Sequence, residues 1–258
     1  MKPFSKFVLS TVFIGLLASC GGSGEETSEE GDPSELVAVE GGKFEGGILR
    51  LNSIEDYTSL FPVSINDVYS NHVACNVYEG LFRFNQKTLE TEPALAESFD
   101  IDNSKKVYTF KIRKGVNFHD DECFSDGKGR EIDANDFKYC LEYVCSNHPD
   151  NKWNTLFRDV ILGVGEYQAG SAKEVAGIKV LDKYSLEITL EDPLSALPEM
   201  LALLSTAVYP KEAIDHYGYD GMKNHMVGSG PFIATEISNG NKVEFKKNKN
   251  FLERLNKK

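Results

Sequence analysis

Positive charge is what this 258-residue sequence is shortest of. Twenty-eight lysines and arginines stand against 40 aspartates and glutamates, for a formal net charge of −12. A general nucleic-acid binder carries a basic patch to meet phosphates, so that class is excluded. Long apolar runs are scarce too. The one candidate, FVLSTVFIGLLAS (Phe7 to Ser19), is too short for a comfortable membrane span. None of the five cysteines falls in a C-x-x-C pair, which argues against a zinc site. No G-x-S-x-G elbow offers an activated serine, and no H-E-x-x-H offers metal a helical pair. Internal repeats are absent as well.

What is present begins at the N-terminus. Lys2 and Lys6 precede the apolar run, which ends in LASC (Leu17 to Cys20). A basic start, a short apolar core and small residues describe a secretory signal over residues 1–20. The LASC ending resembles a bacterial lipobox, which implies that Cys20 carries lipid and becomes the first mature residue. Residues 21–45 hold eight acids against one lysine, with many glycines and serines. Such a stretch is predicted to be a flexible, self-repelling tether. The expectation is an exported protein, lipid-anchored to the cell envelope on its periplasmic or cell-surface face. In that setting Cys75, Cys123, Cys140 and Cys145 are free to form disulfides. A domain of this size does not need them, and buried small hydrophobes are the favoured reading.

Along the folded part, GGILRLNS (Gly46 to Ser53) reads as a strand. Val73, Val77 and Leu81 suit a helix closing at Gly80, with LFRFN a strand after it. VYTFKIRKG alternates with the period of a half-buried strand, placing Tyr108, Phe110 and Ile112 in the core. Asp133 caps a clear helix whose buried stripe is Phe137, Leu141 and Val144. GEYQAG (165–170) gives a short helical turn, and 178–190 a strand–turn–strand. LSALPEMLALLS reads as an apolar helix interrupted by Pro198, and TAVYPKEAIDHYG as a strand followed by a helical turn. A hairpin folds around NGN at 239–241. Strands and helices mix without a strict alternation, so the class is α/β or mixed α+β.

His119, Asp120 and Asp121 form the best catalytic candidate, because a carboxylate can orient an imidazole for base chemistry. With no serine elbow beside it, the alternative is a solvated turn after a strand. The same acids lack the alternating spacing of a calcium loop. Gly228 and Gly230 in VGSGPF read as a tight turn rather than a phosphate loop. No residue group demands a metal or a cofactor.

Taken in order, VYEGLFRFN, PALAESFDI, VYTFKIRKGVNFHD, DANDFKYCLEY, VLDKYSLEITLEDP, VYPKEAI and VGSGPF resemble the extracellular solute-binding proteins of the oligopeptide/dipeptide/nickel class. The resemblance runs from Leu49 to about Asn250. It implies a periplasmic-binding-protein-like fold in which two lobes close over a ligand and an extra domain is inserted in the first. Residues 46–77 and 186–258 would form part of the first lobe, and 78–185 the inserted domain. The family continues through an asparagine followed by a Tyr-Trp pair, where this sequence has Asn250, Phe251 and Leu252. The second lobe is therefore expected to be missing. The loop DECFSDGKGRE (121–131) is longer than the family's turn and is expected to affect only the surface.

The implied function is capture of peptides outside the cytoplasmic membrane for the permease of an ABC transporter, by a monomer. Nickel-chelate or oligosaccharide ligands are alternatives within the class, and an exported hydrolase using His119 and Asp120 is the alternative outside it. Ile65, Asn66, Asp67, Val68 and Tyr69 are expected to face the ligand cleft, where family members pair backbone with an extended peptide. A plain exposed loop is the other reading of those five.

Overall fold

The computed structural model describes residues 36–39, 41–238 and 240–251. The predicted signal segment, Cys20 and the tether up to residue 35 lie outside the described residues. Two compact units divide between Asn52 and Ser53.

In the first unit, β1 (Leu36–Val39) and β2 (Lys43–Gly46) pair antiparallel, with Leu36 opposite Gly46 and Val39 opposite Lys43. The last ten residues of the expected tether are thus a hairpin. Gly41 and Gly42 both take positive φ (83° and 71°), a conformation that glycine adopts without penalty. The strand expected over Gly46 to Ser53 does not form beyond Gly46. Among the described residues no backbone group of residues 47–52 has a backbone partner. Leu49 and Leu51 are each 82 % exposed. An alternating pattern makes a segment ready for a sheet, but pairing and burial make it a strand.

The second unit opens with a 3-10 turn, Pro62–Ser64, and α1 (Val68–Ala74). That helix ends six residues before Gly80. The Asn76 side chain donates to the carbonyls of His72 (2.7 Å) and Val73 (3.2 Å), closing the helix there. β3 (Phe82–Phe84) pairs with β4 (Thr91–Pro93), a strand too short for a periodic signal. β5 (Ala96–Ile101), β6 (Val107–Ile112), β7 (Ile178–Asp182) and β8 (Ser185–Thr189) build an antiparallel sheet in the order β5-β6-β8-β7.

Tyr108, Phe110 and Ile112 are buried on one face of that sheet, as their alternation predicts. Phe82, Phe99 and Phe110 meet there with ring centroids 5.4–6.1 Å apart. α2 (Ala134–Cys145) packs on β7 and β8 through the predicted stripe. It starts with a capping box in which Asp133 accepts from the helix amides and Asp136 accepts from the Asp133 amide. α3 (Val164–Gln168) matches its predicted turn.

Two expectations fail further on. α4 (Leu197–Met200) has Pro198 inside its first turn, where a missing N–H leaves no bond unmade. The proline opens a short helix instead of interrupting a long one. Residues 207–210 are extended and buried, but no sheet among the described residues pairs with them. Val208 makes one bond, to the Glu79 carbonyl (2.9 Å). α5 (Lys211–Met222) then runs longer than a turn, broken at Gly218 (φ 67°, ψ 171°). β9 (Phe232–Ser238) and β10 (Lys242–Lys247) form the expected hairpin. Of the cysteines, Cys140 and Cys145 are buried, Cys123 is half-buried and Cys75 is exposed, and all four are free thiols.

Candidate functional site

Residues 58–67 run across the second unit, through the 3-10 turn and up to the cap of α1, as a segment fixed at both ends. Leu60, Phe61 and Val63 are fully buried, and the Leu60 amide donates to the Lys223 carbonyl at 2.9 Å. Phe61 lies edge-on to Tyr209, with centroids 5.0 Å apart. The far end of the loop is tied by Asp67, the N-cap of α1. Its carboxylate accepts from the Ser70 amide (2.8 Å), the Ser70 hydroxyl (2.7 Å) and the Thr58 hydroxyl (2.6 Å). Partial burial works against ionisation, but these hydrogen bonds outweigh it and hold Asp67 below its ordinary pKa. Thr58 and Ser70 carry no periodic or motif signal, and only the contact with Asp67 reveals their part.

The five residues singled out in the sequence are contiguous, and the structure gives them different settings. Ile65 is buried, and its carbonyl accepts from the indole N–H of Trp153 at 2.7 Å. Asn66 is exposed, and neither its backbone nor its carboxamide has a hydrogen-bond partner among the described residues. Asp67 is committed to the cap, Val68 is 62 % exposed, and Tyr69 is half-buried. The result is a short backbone edge with free polar groups at Asn66, flanked by an exposed valine and a tyrosine.

The His119–Asp121 stretch does something else. His119 is only 5 % exposed, so it does not sit on a solvated turn. Its Nε2 lies 3.0 Å from the Gly230 carbonyl, which can only accept, so the ring is the Nε2–H tautomer. Its amide donates to the Gly228 carbonyl at 2.7 Å. Nδ1 is buried without a partner among the described residues. Burial drives the pKa of His119 down to about 4, against the smaller opposing effect of the Gly230 bond.

Asp120 gives that ring no orienting bond. Its carboxylate binds Lys128 Nζ (2.7 Å) and the Gly129 amide (3.0 Å). Asp121 instead receives the Tyr217 hydroxyl (2.8 Å) and the Cys123 amide (2.9 Å), and faces His225 Nε2 at 2.8 Å. The three residues tie down different segments, and His119 and Asp120 do not form the expected pair; the imidazole that meets a carboxylate is that of His225, on Asp121.

The glycines of VGSGPF belong to the same joint. A Cβ on Gly228 would stand 2.1 Å from the Val77 carbonyl oxygen, and one on Gly230 2.7 Å from it. Neither has positive φ, so close approach of two backbones requires glycine here rather than a tight turn. The long loop 121–131 also reaches inward. Phe124 is buried and stacks on Phe118 (6.2 Å), and Arg130 bridges Asp136 (2.7 Å) and Glu212 (2.6 Å). That loop is part of the packing, which corrects the expectation of a surface effect alone. A groove of about 410 Å³ opens beside Arg130, Asp136, Lys211, Glu212 and Asp215, whose charges are paired with one another.

Comparison with known proteins places this framework. The family model for bacterial extracellular solute-binding proteins, family 5 (Middle), matches residues 90–258. The glutathione-binding protein GsiB of Salmonella paratyphi A is 31 % identical over 198 residues, which cover 76 % of this chain and 33 % of GsiB. The periplasmic oligopeptide-binding protein OppAIV of Borrelia burgdorferi is 28 % identical with a TM-score of 0.67, over 76 % of this chain and 38 % of OppAIV. The periplasmic binding protein DppA of Helicobacter pylori, solved with the peptide STSA, is 26 % identical with a TM-score of 0.62, again over 76 % and 38 %. The chain spans about a third of the length of the curated relatives it matches.

Proposed function

Since the chain belongs to the bacterial extracellular solute-binding proteins of family 5, we propose that it serves an ABC transporter by capturing peptides outside the cytoplasmic membrane. The observation that carries this reading to particular residues is the backbone edge at Asn66. It is exposed, free of hydrogen bonds among the described residues and held from both sides, which is what an extended peptide needs from a pairing partner. Val68 and Tyr69 would offer side-chain contact, and Ile65 and Asp67 would hold the edge in place. A hydrolase reading finds no support in geometry, because Asp120 does not orient His119 and the His119 ring is bonded to backbone.

Calorimetry with two probes tests this, the tetrapeptide STSA and the tripeptide glutathione, chosen because relatives are named for them. Asn66→Pro removes the free amide. Ile65 has ψ 123°, which suits a residue preceding proline. Binding that is unchanged in Asn66→Pro would show that the edge is not where peptides sit.

Two further parts of the reading concern the chain as a whole. Residues 46–77 and the segment after the four-stranded sheet form part of a first lobe, with an inserted domain between them. The inserted domain would span residues 78–185, and the place of β8 in that sheet supports carrying its end to Thr189. Hydrogen exchange that loses protection together over 78–189 and separately elsewhere supports this division, and one cooperative opening of everything removes it. At the N-terminus, the LASC sequence supports a lipid on Cys20, which holds the protein at a membrane surface. Cys20→Ala is expected to leave the membrane fraction or stall in processing. A normally cleaved Cys20→Ala protein still in that fraction excludes the anchor.

A further inference from the structure

Asparagine, lysine and tryptophan at 151–153 make an unusual set of bonds for three consecutive loop residues. Asn151 is buried, and its side-chain amide donates to the carbonyls of Tyr143 (3.0 Å), Val144 (2.7 Å) and Ser146 (2.8 Å) at the end of α2. Its side-chain oxygen accepts from the Trp153 amide at 2.9 Å. The Lys152 amide donates to the Val63 carbonyl at 2.9 Å, and Trp153 Nε1 donates to the Ile65 carbonyl at 2.7 Å. One short segment thus satisfies the carboxyl end of a helix and, two carbonyls apart, the strip of backbone that leads into Asn66.

We propose that residues 151–153 are a tie that sets the position of the Asn66–Tyr69 edge, and that Trp153 is its positioning residue. The inference rests on the peptide-binding reading above and adds a residue to it. Trp153 need not touch the ligand. The bond to Ile65 fixes the carbonyl immediately before the free groups of Asn66, so the edge meets its ligand already ordered. An edge that is ordered beforehand loses less freedom on binding. Phenylalanine at 153 keeps a ring in the packing and removes the one donor that reaches Ile65. The chain has a single tryptophan, so its emission comes from this joint and nowhere else.

Three readouts on the full chain decide the matter. In Trp153→Phe the bonded amides that flank the edge, those of Ser64 and Ile65 before it and Ser70 after it, are expected to exchange about fivefold faster, the worth of one ordinary hydrogen bond, with the rest of the chain unchanged. Affinity for the two peptide probes is expected to fall by a similar factor while Tm moves little. In the unsubstituted protein, tryptophan emission is expected to change on peptide addition and to saturate at the Kd that calorimetry gives. A lower Tm with no selective gain in exchange at Ser64, Ile65 and Ser70 would reduce Trp153 to ordinary packing and overturn the proposal. Should the variant fail to fold, peptide binding without any change in emission overturns it too. Faster exchange in a protein that binds neither probe would keep the tie and remove the ligand role, which separates this failure from that of the inference itself.

Discussion

An imidazole buried with one nitrogen bonded to a carbonyl and the other unpartnered has no room for a second proton. His119 is held in this way, and its pKa falls from the ordinary 6.5 to about 4. Between those values the unfolded chain binds a proton that the folded chain refuses. The stability involved is therefore complete above about pH 6.5 and lost as pH falls toward 4, by up to about 3 kcal/mol at roughly 1.4 kcal/mol per pH unit. Asp121 adds a second, more acidic window. Burial opposes its ionisation, but the bonds from His225, Cys123 and Tyr217 win and hold it at about 2. What it contributes is present above its ordinary 3.8 and lost as pH falls to about 2. Urea unfolding across pH should show the first decline, and His119→Ala should flatten it while costing about 1–3 kcal/mol at neutral pH. A decline in His119→Ala as steep as in the parent would disprove the assignment. The sequence could not show this burial, because the partner of His119 is 111 residues away.

At the scale of single elements, what could be read from the sequence was whatever is set by neighbours along the chain. β6 and α2 follow their periods, and Asp133 caps α2 with Asp136 completing the box. Replacing Asp133 by Ala should cost about 1 kcal/mol, read as a lower denaturant midpoint at constant m-value. A loss below a few tenths would mean that the packing of α2 on β7 and β8 holds the helix start without its cap. Features set by distant contacts were not legible. α1 stops where Asn76 turns back on it, and β4 exists only because β3 lies beside it. Residues 47–52 have the right alternation but no backbone partner among the described residues. Resemblance pointed to residues 65–69 as a candidate position, but the contacts that hold them were not legible. Trp153 stands 88 residues from Ile65, and only folding shows that its N–H is spent there.

Taken whole, the chain covers 33 % of the length of GsiB and 38 % of the DppA chain. Sites for small ligands enclose most of the ligand surface, typically with walls from more than one part of a protein. The 258 residues alone are therefore expected to bind STSA and glutathione weakly, and appending the second lobe of a relative should tighten binding at least about tenfold, or 1.4 kcal/mol. Calorimetry on both proteins gives the comparison, and tight binding by the 258 residues alone would place the whole site within them. The first unit has a consequence of another kind. The backbone of residues 47–52, without a backbone partner among the described residues, and the protruding Leu49 and Leu51 can be satisfied at once by the same stretch of another molecule. The net charge of −12 keeps such stretches apart, but only over the Debye length, about 10 Å at 0.1 M salt. Salt should then govern shelf life: light scattering of a concentrated stock should rise with ionic strength, and a Leu51→Lys stock should stay clear.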